Sequence, residues 1–215
     1  MSAIKRIKEK LTQLRDHDTK LWVMQVEHHK YQLSPPLSEE FIANWEARAQ
    51  VKLPEEYRLF LRELGEGPAG PGLGMRKLTE TNLTPDLKEP FPLVEPFLGL
   101  RSIDTSKLDP EQEWETYKEF AAEWDKIPED GSLLLTHYGC DIYGELVLNG
   151  KYRGQIWIRE GDSPSYSPFG YSVHLHDPDQ DPCADIPKHF TFFQWYEHWL
   201  DAALKEFLSI TENHT

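Results

Sequence analysis

Apolar positions recur at helical spacing in five stretches of the chain and at strand spacing in a region near its C-terminal end. Ile4, Ile7, Leu11, Leu14 and Leu21 lie on one stripe, which predicts helix over residues 3–31. Asp18 falls on that stripe, so the segment reads as two helices or as one with a weakened seam. It could pair with a second copy as a coiled coil or pack back onto its own domain. Pro35-Pro36 breaks the chain, and Ser38 caps a second helix to about Val51, with Phe41, Ile42, Trp45 and Ala49 inward. Pro54 opens a third helix, where its missing N–H costs nothing, and Glu55 and Glu56 complement the positive helix end. Tyr57, Leu61 and Leu64, with Phe60 beside them, form its apolar face. Gly65 supplies the left-handed stop, and the run EGPAGPGLG after it reads as a flexible loop.

Residues 65–109 are punctuated by Pro85, Pro90, Pro92 and Pro96, which predicts extended loop with one or two short strands. Asp109-Pro110 starts a helix to about Lys126 that would bury Trp114, Tyr117, Phe120, Ala121 and Trp124. Strands follow at Leu133–Tyr138, Gly144–Leu148, Gln155–Arg159 and Tyr171–Leu175. Asn149-Gly150 gives the strongest hairpin signal, and Gly154 suggests a bulge or a close backbone approach. Thr191 with Gln194 three residues on makes a capping-box start for a closing helix to about Ile210. Phe193, Tyr196, Leu200, Leu204 and Phe207 form its inner face, widened by Trp195 and Trp199. Helices, a meander of strands and a closing helix define an α+β fold: a single domain over 35–215, an antiparallel sheet flanked by helices, with an N-terminal helical extension over 1–34.

Composition agrees with a packed core: 39 % of the 215 residues are hydrophobic, including seven Trp, nine Tyr and ten Phe. The tryptophans other than Trp22 stand at inward-looking positions. No apolar run approaches membrane-spanning length and no signal-peptide pattern opens the chain, so a cytoplasmic protein with no membrane contact is expected. Two cysteines, Cys140 and Cys183, suit a reducing compartment. The net charge of −14 is unevenly spread. Residues 1–30 hold seven basic and four acidic side chains, leaving −17 on the rest. Such a surface repels nucleic acid and steers toward basic partners.

Candidate chemistry is thin. Gly65-Glu66-Gly67-Pro68-Ala69-Gly70 spells a dinucleotide fingerprint, but a helix precedes it and prolines follow, the reverse of the required context. Asp177, Asp179, Asp181 and Asp185 imitate calcium-loop spacing, yet Pro182 and Lys188 replace the glycine and the bidentate glutamate. His174 and His176 could meet Cys183 or Asp177 at a metal, without the second short-spaced pair that zinc sites show. His137 and Cys140 have no orienting acid for a nucleophile. The expectation is therefore no catalytic residue, no metal and no cofactor.

Leu53, Pro54, Tyr57, Phe60 and Leu61, followed by Gly65 and Gly67, form a motif that resembles the SUKH superfamily. Gly139, Asp141 and Asn149 around the first strand turn fit its second hallmark. Gly154, Ile156 and Trp157 give a shifted form of its next strand, and Phe192, Phe193, Trp195, Trp199 and Leu200 fit its aromatic closing helix. That superfamily contains fungal cell-wall-assembly regulators and bacterial immunity proteins. The resemblance implies a non-catalytic α+β binding domain. It implies either an immunity protein neutralising a cognate, nucleic-acid-targeting toxin by direct binding, or a regulatory protein-interaction module. Charge and exposure nominate Asp141, Tyr143, Asp177, Asp179, Asp181 and Asp185 as partner-binding residues, in a monomer or homodimer that engages a basic protein and no nucleic acid.

Overall fold

The computed structural model describes residues 1–162, 164–171 and 189–213. The first helix, α1 (Ala3–His17), opens at Ser2, whose hydroxyl accepts the Lys5 N–H at 3.4 Å. It ends at Asp18 and does not reach residue 31. The buried Asp18 carboxylate accepts the Trp22 N–H at 2.8 Å and the Tyr31 hydroxyl at 2.7 Å. A short acceptor that draws nearby N–H groups to itself competes with the helix for them. Leu21, Gln25, Lys30 and Tyr31 then take positive φ in an irregular loop that still delivers Val23, Val26 and Tyr31 to the core.

Helices α2 (Glu39–Ala49) and α3 (Glu55–Glu63) form where their caps and stripes predict. Ile42, Trp45 and Ala49 are buried, whereas Phe41 lies out in solvent. Glu46 is 2 % exposed and locks the two helices together, accepting from Leu53 N–H at 3.2 Å, Arg58 Nε at 3.2 Å and Lys52 Nζ at 2.7 Å. The glycine run beyond α3 is not a flexible loop. Strand β2 (Glu66–Pro68) pairs antiparallel with β1 (Leu33–Ser34), and the run is largely buried. Gly65, at φ +133°, faces the chain so closely that a Cβ would stand 1.9 Å from the Ser34 carbonyl oxygen. Its role is backbone contact between strands more than helix termination.

The main sheet is an antiparallel meander of β3 (Ser132–Gly139), β4 (Ile142–Val147), β5 (Ile156–Glu160) and β6 (Ser165–Pro168), in that order. Its inner face sends Leu133, Leu135, Leu146 and Ile156 into the main core; its outer face puts Val147, Trp157 and Tyr166 under Phe91 in a smaller cluster. The tight turn is Cys140-Asp141, both at positive φ, as a two-residue loop of this hand requires. Asn149-Gly150 instead sits in the longer β4–β5 connection, which Gly154 closes by donating to the Val147 carbonyl at 2.8 Å. Gly154 itself needs no close approach; its φ of +88° explains it. The strand expected at Tyr171–Leu175 is corrected at its start, because Tyr171 lies in a helical turn; residues 172–175 lie outside the described residues. Both sheet edges are occupied by loop backbone, Met75 bridging Thr136 on β3 and Phe97 bridging Tyr166 on β6.

Helix α4 (Pro110–Trp124) starts at the capping box of Asp109 and Gln112. The burial expected of it does not occur. None of its residues is buried, and Trp114 is 57 % exposed. Glutamates flank its aromatic stripe on both sides, and the stripe is no more than half-buried; near its C-terminal end Phe120 meets Phe97 with ring centroids 6.2 Å apart. The closing helix α5 (Phe192–Asn213) buries Phe192, Trp195, Tyr196 and Leu200. Its start is held twice, by the Thr191/Gln194 box and by Glu56 of α3, which accepts the Phe193 N–H at 2.9 Å. Helix α1 packs along α5, with Ile7, Leu11 and Leu14 inward and Arg6 gripping both carboxylate oxygens of Glu197 at 2.8 and 2.6 Å. Among the described residues no helix is long and apolar enough to cross a membrane.

Candidate binding surface

The β3–β4 turn brings two of the nominated residues together at one corner of the outer sheet face. Asp141 is exposed, and the chain folds back against it: Gly161 donates its N–H to the Asp141 carbonyl at 3.0 Å, and a Cβ on Gly161 would lie 1.6 Å from Asp141 Oδ2. The Asp141 side chain hydrogen-bonds the Tyr143 hydroxyl, which with burial raises the Tyr143 pKa above its ordinary value, against the pull of Arg159 and Arg76. Cross-strand pairing sets Tyr143 between His137 and Arg159. The His137 ring stacks on it at 4.8 Å and 16°, and the Arg159 guanidinium lies 5.0 Å from its centroid.

One register step further along, Glu145 is 2 % exposed and fully engaged. Oε1 accepts Arg159 Nε at 2.8 Å, and Oε2 accepts the Ser132 hydroxyl at 2.7 Å and the Tyr166 hydroxyl. Arg159 also binds Glu129 at 2.7 Å and lies 5.7 Å from the Trp124 ring of α4. Burial works against its charge, but Glu145 and Glu129 outweigh it and raise its pKa. Tyr166 is pushed well above the usual range, by burial first and then by Glu145. A buried pair with all its hydrogen bonds made fixes geometry more than it adds stability.

Above this network runs a groove of about 390 Å³, lined by Arg76, Lys77, Glu80, Glu129, Glu145 and Arg159 among others. Arg76 is brought there by its N–H bond to the Leu135 carbonyl at 2.7 Å, beside the Met75–Thr136 bridge. His137 Nε2 is buried without a hydrogen-bond partner among the described residues. Rigid charges of both signs beside an exposed carboxylate suit recognition of a polar protein surface.

Asp177, Asp179, Asp181 and Asp185 lie outside the described residues, as do His174, His176 and Cys183. Among the described residues no group of three or more His, Cys, Asp or Glu side chains could hold a metal ion. Sequence reasoning missed Glu145, Arg159 and Trp124. The available signal was a charge placed inside otherwise apolar strands, Glu145 in YGELVL and Arg159 in IWIRE.

The sheet, the α2–α3 pair and the buried Leu53, Pro54, Tyr57, Phe60 and Leu61 make this an α+β domain of SUKH type. Residues 36–173 match the model of the SMI1/KNR4 family (SUKH-1), and the chain belongs to that family. No curated protein and no solved structure matches the chain.

Proposed function

We propose that this chain is an immunity protein that neutralises a cognate, basic toxin domain by binding alone, with no catalytic step of its own. The observation that carries this reading is the net charge of −14 on a member of a family whose superfamily includes immunity proteins. A nuclease or other nucleic-acid-directed toxin must be basic where it grips phosphate. An acidic protein with a rigid polar groove associates quickly with such a surface and excludes its substrate. The alternative, a regulatory interaction module, would gain from an extended N-terminal helix that recruits a partner. Helix α1 is instead packed along α5, which favours the first reading.

The test is expression of the C-terminal domain encoded by the reading frame upstream of this gene, with and without the chain. Relief of growth arrest and a 1:1 complex that weakens as salt rises are expected. A toxic neighbour that the full chain neither binds nor silences would end the proposal.

A further inference from the structure

Of the helices α1 to α5, α4 alone buries none of its side chains among the described residues, and its exposed side is organised. Between Asp109 and Asp125 lie seven acids and a single base, a local charge of −6, and all seven acids are exposed. In their midst Trp114 is the most exposed of the seven tryptophans. Its ring is held in place by Tyr117, stacked at 5.5 Å and 12°. It already attracts a cation: Lys118 Nζ, tied to Glu115 at 2.7 Å, stands 5.9 Å from the Trp114 centroid, at the outer limit of such a contact. A rigid tryptophan face framed by carboxylates is the chemistry that takes an arginine or lysine from outside. Exposed in isolation, an aromatic pair of this size has nothing to gain from solvent.

We infer that the outward face of α4 is the docking surface for a basic protein partner, with Trp114 receiving an arginine or lysine side chain and Glu111 and Glu115 pairing with its neighbours. The partner's cation displaces Lys118, which serves as its intrachain stand-in. Arginine fits better than lysine, since its planar guanidinium stacks on the indole while donating to the flanking carboxylates. This rests on the reading of the chain as a binder of a basic toxin, and it names the surface that the reading leaves open.

The opposite roles of Trp114 and Lys118 give the test its force. A nine-residue arginine peptide is titrated calorimetrically into the full chain and into its Trp114→Ala and Lys118→Gln variants, and the toxin domain from the neutralisation experiment is titrated alongside. Both positions are exposed, so unchanged thermal melts are the folding control. Loss of about tenfold in affinity with Trp114→Ala, and a gain of about two- to threefold with Lys118→Gln, are expected for both ligands. Equal affinity of all three proteins for both ligands overturns the docking surface. If the toxin domain is neutralised equally well by every variant, the proposed function stands and α4 is excluded from it. If the toxin domain is not bound at all, the proposed function fails, and the peptide titration still decides whether α4 takes a cation. A dimer in light scattering that Trp114→Ala dissociates would show a second copy on this face and overturn the inference.

Discussion

The His29 imidazole is 4 % exposed between Tyr31 and Trp199, whose ring centroids lie 5.8 and 5.5 Å away. Its Nδ1 accepts the Tyr31 N–H at 3.1 Å, which requires that nitrogen to be unprotonated. Burial, and then the neighbouring His28, lower its pKa from 6.5 to about 4. The unfolded chain therefore binds more protons than the folded one between those two values, and stability falls as the solution is acidified through that window. The contribution is complete above pH 6.5 and is lost progressively toward pH 4, amounting to roughly 3 kcal/mol. A His29→Gln variant keeps an acceptor and a donor but cannot titrate. Chemical denaturation of the two proteins at stepped pH is expected to show the wild type losing more stability than the variant across that window; parallel pH curves would refute the assignment. Single residues were also where sequence reading did least well. Asp18, His29 and Glu145 are polar groups whose value depends in part on Tyr31, Trp199 and Arg159 respectively, each 13 or more residues away, or on strand register. A local pattern carries neither. Asp141 and Tyr143 were nominated for charge and exposure; their pairing was not anticipated, since it joins a turn residue to the second residue of β4.

Elements with both a cap and a stripe were legible. Helices α2, α3 and α5 begin at Ser38, Pro54 and Thr191, and each stripe marks the buried side, apart from Phe41 of α2. Strand β6 was missed because Ser165-Tyr-Ser-Pro offers one apolar side chain, Tyr166, to a face that small serines fill elsewhere. Asn149-Gly150 outranked Cys140-Asp141 because the sequence signal weighs residue type, whereas the fold closes β3 onto β4 in two residues at Cys140-Asp141 despite register shifts along that pair. Helix α4 shows that a stripe can be real and still remain in solvent when acids border it. At this scale the family motif has a second task, since its Glu56 caps α5 through Phe193, across 137 positions of chain. Replacing Glu56 by Ala removes a charged acceptor from a helix N-terminus at a cost of about 1–2 kcal/mol. The melting temperature should drop by roughly 2–8 °C, and less when Thr191→Ala has already loosened that end. A Glu56→Ala melt matching wild type would mean the contact adds nothing to stability.

Across the whole molecule, the core extends beyond the residues 36–173 that carry the family match. Ile7, Leu11 and Leu14 of α1 and Phe192, Trp195, Tyr196 and Leu200 of α5 belong to one hydrophobic cluster with α2, α3 and the inner sheet face. Each fully buried side chain of this kind contributes about 1.5–3 kcal/mol, so their sum rivals the total stability of an ordinary domain. A fragment restricted to residues 36–173 is expected to lack a cooperative melt and to bind a hydrophobic dye; a sharp two-state transition would show that α1 and α5 merely decorate a self-sufficient unit. The two covered sheet edges bear on recognition in another way. Met75 and Arg76 hold the backbone of β3, and Phe97 exchanges both of its hydrogen bonds with Tyr166 in the middle of β6. Among the described residues, a partner strand therefore finds the middle of each edge of the main sheet already paired. An associating protein that meets this sheet is left to read its side chains, so specificity there is free to diverge by surface substitution while the sheet beneath stays the same.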